Sequence, residues 1–360
     1  MTKLKSGVLI NEILMNMKKK ANASEKFERR INIYSAHDTT IANLWRGFNV
    51  TEKLEFPSYG AALMIELHEI DGKYQVKLHR HGERSPEATY PLDPYKGESF
   101  WPEGLGLLLQ RGKIGLYELG RFFRRRYDGF LSAKYSPDET SVTASYFDRC
   151  IMSASLLLAG LYPPVGIQLW NPDLKWQPIP VHATPFECDS MIIVNKPCAL
   201  LSEEYVQWKA VLEKKLDGHQ EFLTNLSRNT GLNVETMDDV YFIYDNIMIV
   251  EEQGLTLPKW VQGVREKLYS FGKVRAMENF MSPTMKKLLS GVLINNILSN
   301  MKKKTDTKEA FDRRLNLYSA HDTTLVRVWR AMNITGEITE RPPYGAALIL
   351  SFMMSMENTE

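Results

Sequence analysis

Cysteine is scarce in this sequence: Cys150, Cys188 and Cys198 are the only three among 360 residues. That excludes a disulfide framework, and their spacing matches no zinc pattern. One bridge at most, with one thiol left over, is expected. Net charge is scarce too, because 45 Lys and Arg against 43 Asp and Glu leave only +2. No basic field of the kind that drives nucleic-acid or membrane-surface association is present, so no nucleic-acid partner is expected. A small anionic substrate held by a few local cations stays compatible with this balance. Apolar runs of about 18 residues are absent as well, so no membrane span is expected. The opening segment from Met1 to Glu12 holds an apolar run too brief and interrupted for a signal peptide. What remains, 44% hydrophobic and 24% charged residues, suits one large domain with an inserted lobe, or two domains. The lysine runs 18–20 and 302–304 each close an amphipathic segment, where cations complement the negative end of a helix dipole. Four glycosylation triplets, at Asn22, Asn49, Asn225 and Asn333, fit a secreted ancestry only weakly.

A long internal repeat organises the chain. Residues 1–50 match residues 285–334 at a constant offset of 284, with 31 of 50 positions identical. The match resumes at an offset of 285, where Tyr59-Gly-Ala-Ala-Leu63 faces Tyr344-Gly-Ala-Ala-Leu348. Two copies at opposite ends, flanking unrelated sequence, point to partial duplication or fusion rather than to a solenoid. Each copy carries a His-Asp-Thr-Thr run, at His37-Asp38 and at His321-Asp322, whereas Arg80-His81-Gly82 occurs once. A site that needs both motifs is therefore assembled once per chain.

Three segments share one local grammar. Tyr74 to Leu78 alternates like a strand and runs into His79-Arg80-His81-Gly82. Arg314 to Tyr318 alternates likewise, and His321-Asp322 follows, just before the apolar helical pattern of Leu325, Val326, Val328 and Trp329. Ser145 to Arg149 precedes a helical run that Pro163 and Pro164 end. Open α/β sheets bind ligands beyond the carboxyl ends of their strands, where helix N-termini present partial positive charge to an anion. From Cys188 to Met285 the pattern turns helical, with segments such as Glu203 to Leu216 and Leu257 to Phe271, which reads as a lobe inserted into the core. The prolines of Trp170 to Pro178 make that stretch a loop or edge strand.

Displacing an alcohol from a phosphate monoester needs a nucleophile, cations on the nonbridging oxygens and an acid for the departing oxygen. A neutral His81 supplies a lone pair able to form a phosphoramidate that water later opens. Arg80, Arg84 and Arg149 offer planar guanidinium forks for phosphate oxygens. A protonated His321 adds a donor, and Asp322 is the candidate proton donor if its pKa is high enough. Such a site needs neither metal nor cofactor. Taken singly each feature has a plainer meaning: a solvated turn for Arg-His-Gly, a capping pair for His-Asp, a helix-start ion pair for Asp148-Arg149. Their joint occurrence, in order and in matching local structure, favours the chemical reading.

Extended to Arg80-His81-Gly82-Glu83-Arg84-Ser85-Pro86, the motif resembles that of the animal histidine acid phosphatases of prostatic, lysosomal and insect venom type. Trp101-Pro-Glu-Gly104, the Gly115 to Tyr127 segment, Ser145 to Ala154, Trp170 to His182 and Gly291 to Thr324 extend the resemblance over residues 79–350. It implies an α/β fold, a three-layer sandwich around a mostly parallel sheet, with a helical cap. The core would comprise 79–187 and 286–354, the cap 188–285, and residues 1–78 would be the partial repeat. It also implies acid hydrolysis of phosphate monoesters through a phosphohistidine on His81, with Arg80, Arg84, Arg149 and His321 holding phosphate and Asp322 giving the proton. A secreted or lysosomal location follows from the same resemblance, and a homodimer is compatible with it.

The sequence departs from that family in two places. The strand entering the motif, Leu63 to Leu78, looks like the closing strand of an upstream copy, so the join falls near Leu78 and His79. Lys77 would then lie in a strand covered on both faces, an awkward place for a charge. Cys198 resembles a family disulfide cysteine, yet Ala62 and Ala347 stand where its partner is expected. Two readings follow: an acid phosphatase, or a catalytically weak fused paralogue serving as a binding or antigenic protein. Either His-Asp pair could complete the site; the order and separation of His321 and Asp322 favour them over His37 and Asp38.

Overall fold

The computed structural model describes residues 74–305, 312–333 and 341–352, all within one of the two compact units into which the chain divides, Gly72–Ile334 with Ile338–Glu360. Expectations that fall on residues 1–73, including His37 and Asp38, lie outside the described residues.

Among the described residues the sheet has five strands in the order β3-β2-β4-β1-β5. β1 (Tyr74–Arg80) runs parallel to β4 (Leu315–Ala320) and antiparallel to β5 (Ala347–Phe352). On the other side of β4 lie β2 (Thr140–Ala144) and the two-residue β3 (His182–Ala183), both parallel. The expected mostly parallel sheet is present. The alternation of each strand fills two faces. On one, Leu315, Leu317 and Val142 pack with α1 (Gln110–Arg126) and α2 (Asp148–Leu161) through Leu116, Phe123, Leu157 and Leu161. On the other, Leu78, Tyr318 and Ala320 meet Leu293 and Ile297 of a long helix and Leu325 and Val328 of a shorter one. Helices on both faces bury the parallel strands, the condition such sheets require.

β1 is the strand that the sequence placed in doubt, and it is central and intact. Its residue Lys77 is 1% exposed. The side chain lies between two rings, with Nζ 3.5 Å from the Phe123 centroid and 3.3 Å from that of Tyr127. An ammonium over an aromatic face keeps an electrostatic partner after losing water, and this is how a charge fits where an apolar residue was expected. β1 also runs straight through the boundary drawn between residues 78 and 79, so the seam lies inside a strand.

α1 and α2 pack at a distance only glycine allows. A Cβ on Gly120 would stand 2.0 Å from the Leu157 carbonyl oxygen, and one on Gly160 2.2 Å from that of Tyr117. Gly82 is constrained likewise, with the Gly112 carbonyl oxygen 2.7 Å from where its Cβ would be. The loop after β1 is thereby seated on the first turn of α1.

The lobe comprises α3 (Ala199–Glu213), α4 (Gln220–Thr230), α5 (Met237–Glu252) and α6 (Arg265–Ala276). Trp208, Leu226, Ile243, Ile247 and Leu268 form a core of its own. α5 starts on a capping box between Thr236 and Asp239, each side chain satisfying the other's backbone amide. α7 (Pro283–Thr305) gives Met285 and Leu289 to that core but Leu293 and Ile297 to the sheet. The passage from lobe to sheet thus falls inside one helix rather than at residue 285. α8 (Asp322–Ala331) completes the fold. Cys150, Cys188 and Cys198 are all free, with Ala347 at the start of β5.

Candidate active site

Three parallel strands end side by side, and their next residues make the site. His81 follows β1, Ser145 follows β2 and His321 follows β4. Backbone bonds extend the sheet one step further: the His81 amide donates to the Ala320 carbonyl at 3.0 Å and the Ser145 amide to that of Ser319 at 2.9 Å. The Gly82 amide donates to Ser153 Oγ of α2 at 3.1 Å. Arg149 occupies the first turn of α2, and Asp322 opens α8 behind His321, which stands at its N-cap. Both helix starts add partial positive charge to that of the arginines.

The His81 ring is 5.5 Å from that of His321, centroid to centroid, and nearly perpendicular to it. His81 Nδ1 lies 2.9 Å from the Gly82 carbonyl oxygen. A carbonyl only accepts, so this contact puts the ring proton on Nδ1 and the lone pair on Nε2. Burial, and then the charges of Arg80, Arg149 and Arg84, drive the His81 pKa well below 6.5. The ring is neutral. His321 is neutral too, lowered to about 3 by burial and by Arg149. The condition set for a charged donor is unmet; where the Ser145 hydroxyl, 2.8 Å from Nε2, donates, the single ring proton is on Nδ1.

Arg80, Arg84 and Arg149 are all buried. Arg80 stacks on the Tyr344 ring at 3.7 Å and donates to the Pro342 carbonyl. Arg84 reaches both oxygens of Asp245, at 3.0 and 3.3 Å. Arg149 donates to Glu87 at 2.6 Å. Arg80 Nε and Nη2, Arg84 Nε and Arg149 Nε are buried with no hydrogen-bond partner. Such groups are costly unless an anion takes them up.

Asp322 Oδ1 accepts from the Thr323 amide at 2.7 Å, while Oδ2 accepts from Arg341 and lies 3.4 Å from Arg80 Nη2. Burial alone would raise this carboxyl, but the Arg341 and Arg80 guanidinium groups outweigh it and hold the group well below 3.8. The condition set for a proton donor is thus unmet before a ligand arrives.

All six residues read from the sequence converge: five line a cleft of about 570 Å³, together with the lobe's Tyr241, Phe242 and Asp245, and Arg80 lies 3.4 Å from one of the five, Asp322. Four further residues were missed. Ser145 opens the segment that ends at Arg149 and Glu87 directly follows the Arg80 to Pro86 motif, but their side chains had no assigned role. Asp245 lies mid-helix in α5 and Arg341 precedes two prolines, so neither has a spacing that ties it to His81. Among the described residues, no three His, Cys, Asp or Glu side chains are grouped as a metal would require, and no helix is long and apolar enough to cross a membrane.

A buried neutral histidine ringed by guanidinium groups, at the carboxyl edge of a parallel sheet, defines an α/β phosphate-handling protein. The chain belongs to the histidine phosphatase superfamily (branch 2), whose family model matches residues 1–79 and 73–360. It is 35% identical over 306 residues to the prostatic acid phosphatase of Bos taurus, covering 79% of this chain and 76% of that one. Against the lysosomal acid phosphatase of Homo sapiens the identity is 35% over 286 residues, 77% of this chain but 66% of that protein's length. In fold it resembles the Klebsiella sp ASR1 phytase, with a TM-score of 0.57 at 17% identity over 78% of each chain. A Hafnia alvei phytase bound to myo-inositol hexakis sulphate gives 0.56 at 16% identity over 78% of this chain and 81% of that one.

Proposed function

We propose that the chain hydrolyses phosphate monoesters in two steps through a phosphohistidine on His81. The observation that supports this most is the fixed, neutral His81 among three buried arginines with unused N–H groups. Nε2 attacks phosphorus, the bond to the ester oxygen breaks, and the alcohol leaves with a proton. Water then attacks phosphorus, the P–N bond breaks, and phosphate departs. Arg80, Arg84 and Arg149 hold the nonbridging oxygens in both steps, and His321 Nδ1–H adds a neutral donor. Glu87, whose side chain is 55% exposed, yields Arg149 as phosphate binds.

Asp322 receives its proton with the substrate. A phosphate ester has a second pKa of about 6, so below that pH it arrives carrying a proton. Its negative charge offsets Arg80 and Arg341, Asp322 rises, and the proton passes through the carboxyl to the leaving oxygen. Turnover then falls above pH 6 as the ester loses that proton, which makes the enzyme acid-active. An acidic secreted or lysosomal setting suits such chemistry, and relatives named prostatic and lysosomal support it. The helical lobe, residues 188–285 in this assignment, caps the site and sets the alcohol side through Tyr241 and Phe242. The reading of an inert binding or antigenic protein drew in part on a disrupted first strand, and the pairing of β1 with β4 and β5 counts against that part.

Hydrolysis of a generic aryl phosphate near pH 5 tests the proposal. His81→Ala should lower kcat by about 10⁴-fold or more, as loss of a nucleophile does. A His81→Ala protein that retains turnover would overturn the assignment.

A further inference from the structure

Arg341 stands outside the motif, yet it joins the two ends of the site. Its Nε donates to Asp322 Oδ2 and its Nη1 to Asp245 Oδ1, the latter at 2.8 Å. Asp322 in turn faces Arg80 at 3.4 Å, and Asp245 faces Arg84 at 3.0 Å. Five buried charges thus alternate in one chain: Arg80, Asp322, Arg341, Asp245, Arg84. The outer two are phosphate-holding arginines, and Arg341 is the cation between their counter-ions.

Resting on the phosphatase reading, we propose that Arg341 is a positioning residue that shares Asp322 with Arg80 and Asp245 with Arg84, so that neither carboxylate is given over to a phosphate-holding guanidinium alone. A buried carboxylate takes the nearest guanidinium available. Without Arg341, Asp322 and Asp245 rest on Arg80 and Arg84 alone, so the Nε donors of those two arginines, now without a hydrogen-bond partner, turn to carboxylates. A planar fork holds two carboxylates at a fixed spacing, whereas an ammonium is a single compact charge on a flexible stem.

The repeat supports a separate role for this position. Phe56-Pro57 in the first copy aligns with Arg341-Pro342 in the second, so the cation is absent there although His37, Asp38 and Tyr59 are retained. A His-Asp pair without this bridge is chemically a different half-site.

Binding of inorganic phosphate to the full chain, followed by calorimetry, and the split between KM and kcat on an aryl phosphate test the role. Arg341→Leu should weaken phosphate binding and raise KM about tenfold, a larger change than in kcat, which moves only through the altered pKa of Asp322. Arg341→Lys should recover only part of the affinity. Adding Asp245→Asn to Arg341→Leu should restore phosphate binding toward wild type, since Arg84 is then released; a merely structural residue gives no such rescue. Should Arg341→Leu not fold, Arg341→Gln with and without Asp245→Asn is compared in the same way. A folded variant whose phosphate affinity and KM match wild type overturns the role, as does a double variant no better than the single one. A wild-type chain that neither binds phosphate nor turns over ester brings down the phosphatase reading itself, and this role with it.

Discussion

The protons of this site are placed by burial and by guanidinium charge, and each placement has a cost elsewhere. His79, just before the site, is fully buried, contacts the Arg80 carbonyl at 3.0 Å through Nδ1, and leaves Nε2 with no hydrogen-bond partner. Burial lowers its pKa from 6.5 to about 4. The folded state therefore favours the neutral ring, and the unfolded chain binds the extra proton. Stability from this group is complete above pH 6.5 and is lost as pH falls toward 4, by about 3 kcal/mol in all. His321 adds a similar loss that continues to pH 3. His79→Leu should flatten the acid side of the stability curve by about 2–3 kcal/mol, read from urea midpoints between pH 6.5 and 4; an unchanged slope contradicts the assignment. Arg80, His81, Arg84, Arg149, His321 and Asp322 were legible because a motif or a strand end marks each. Arg341 and Asp245 were not, because a charge network forms only after the lobe and the last loop fold over the strand ends.

Elements set the geometry that those charges need. The strand and helix patterns around His81, Arg149 and His321 were plain in the sequence, as were the helices of the lobe. The glycine contacts were not, because close approach of two helices has no local signature. Gly160→Ala would force α1 and α2 apart, since its Cβ meets the Tyr117 carbonyl oxygen and the Arg121 amide nitrogen at 2.7 Å or less. A loss of about 1–3 kcal/mol in denaturant unfolding is expected, together with reduced turnover, because Gly82 rests on both helices through Gly112 and Ser153. A variant as stable and active as wild type would show that the helices can separate freely. Lys77 carries a related lesson. Alternation alone marked it as misplaced, and only the Phe123 and Tyr127 rings, distant in sequence, make the position tolerable.

Across the whole molecule the repeat raises the question of which His-Asp pair serves His81. The described unit brings His321 and Asp322 to it and supplies Arg341 between Asp322 and Asp245. His321→Ala should therefore cut kcat/KM by about 10²-fold or more, and His37→Ala should leave it within about twofold; the reverse pattern would give the site to the first copy. Sequence alone favoured the second pair by its order and separation from His81 without excluding the first, since the His-Asp-Thr-Thr run is identical in each.

The central claim is a covalent one, and capture of the intermediate tests it most directly. Wild-type protein mixed with a ³²P-labelled aryl phosphate near pH 5 and denatured within milliseconds should carry label that is acid-labile and alkali-stable. That label should map to the peptide containing His81 and vanish in His81→Ala. Active protein that yields no such label, or label on another residue, would contradict it.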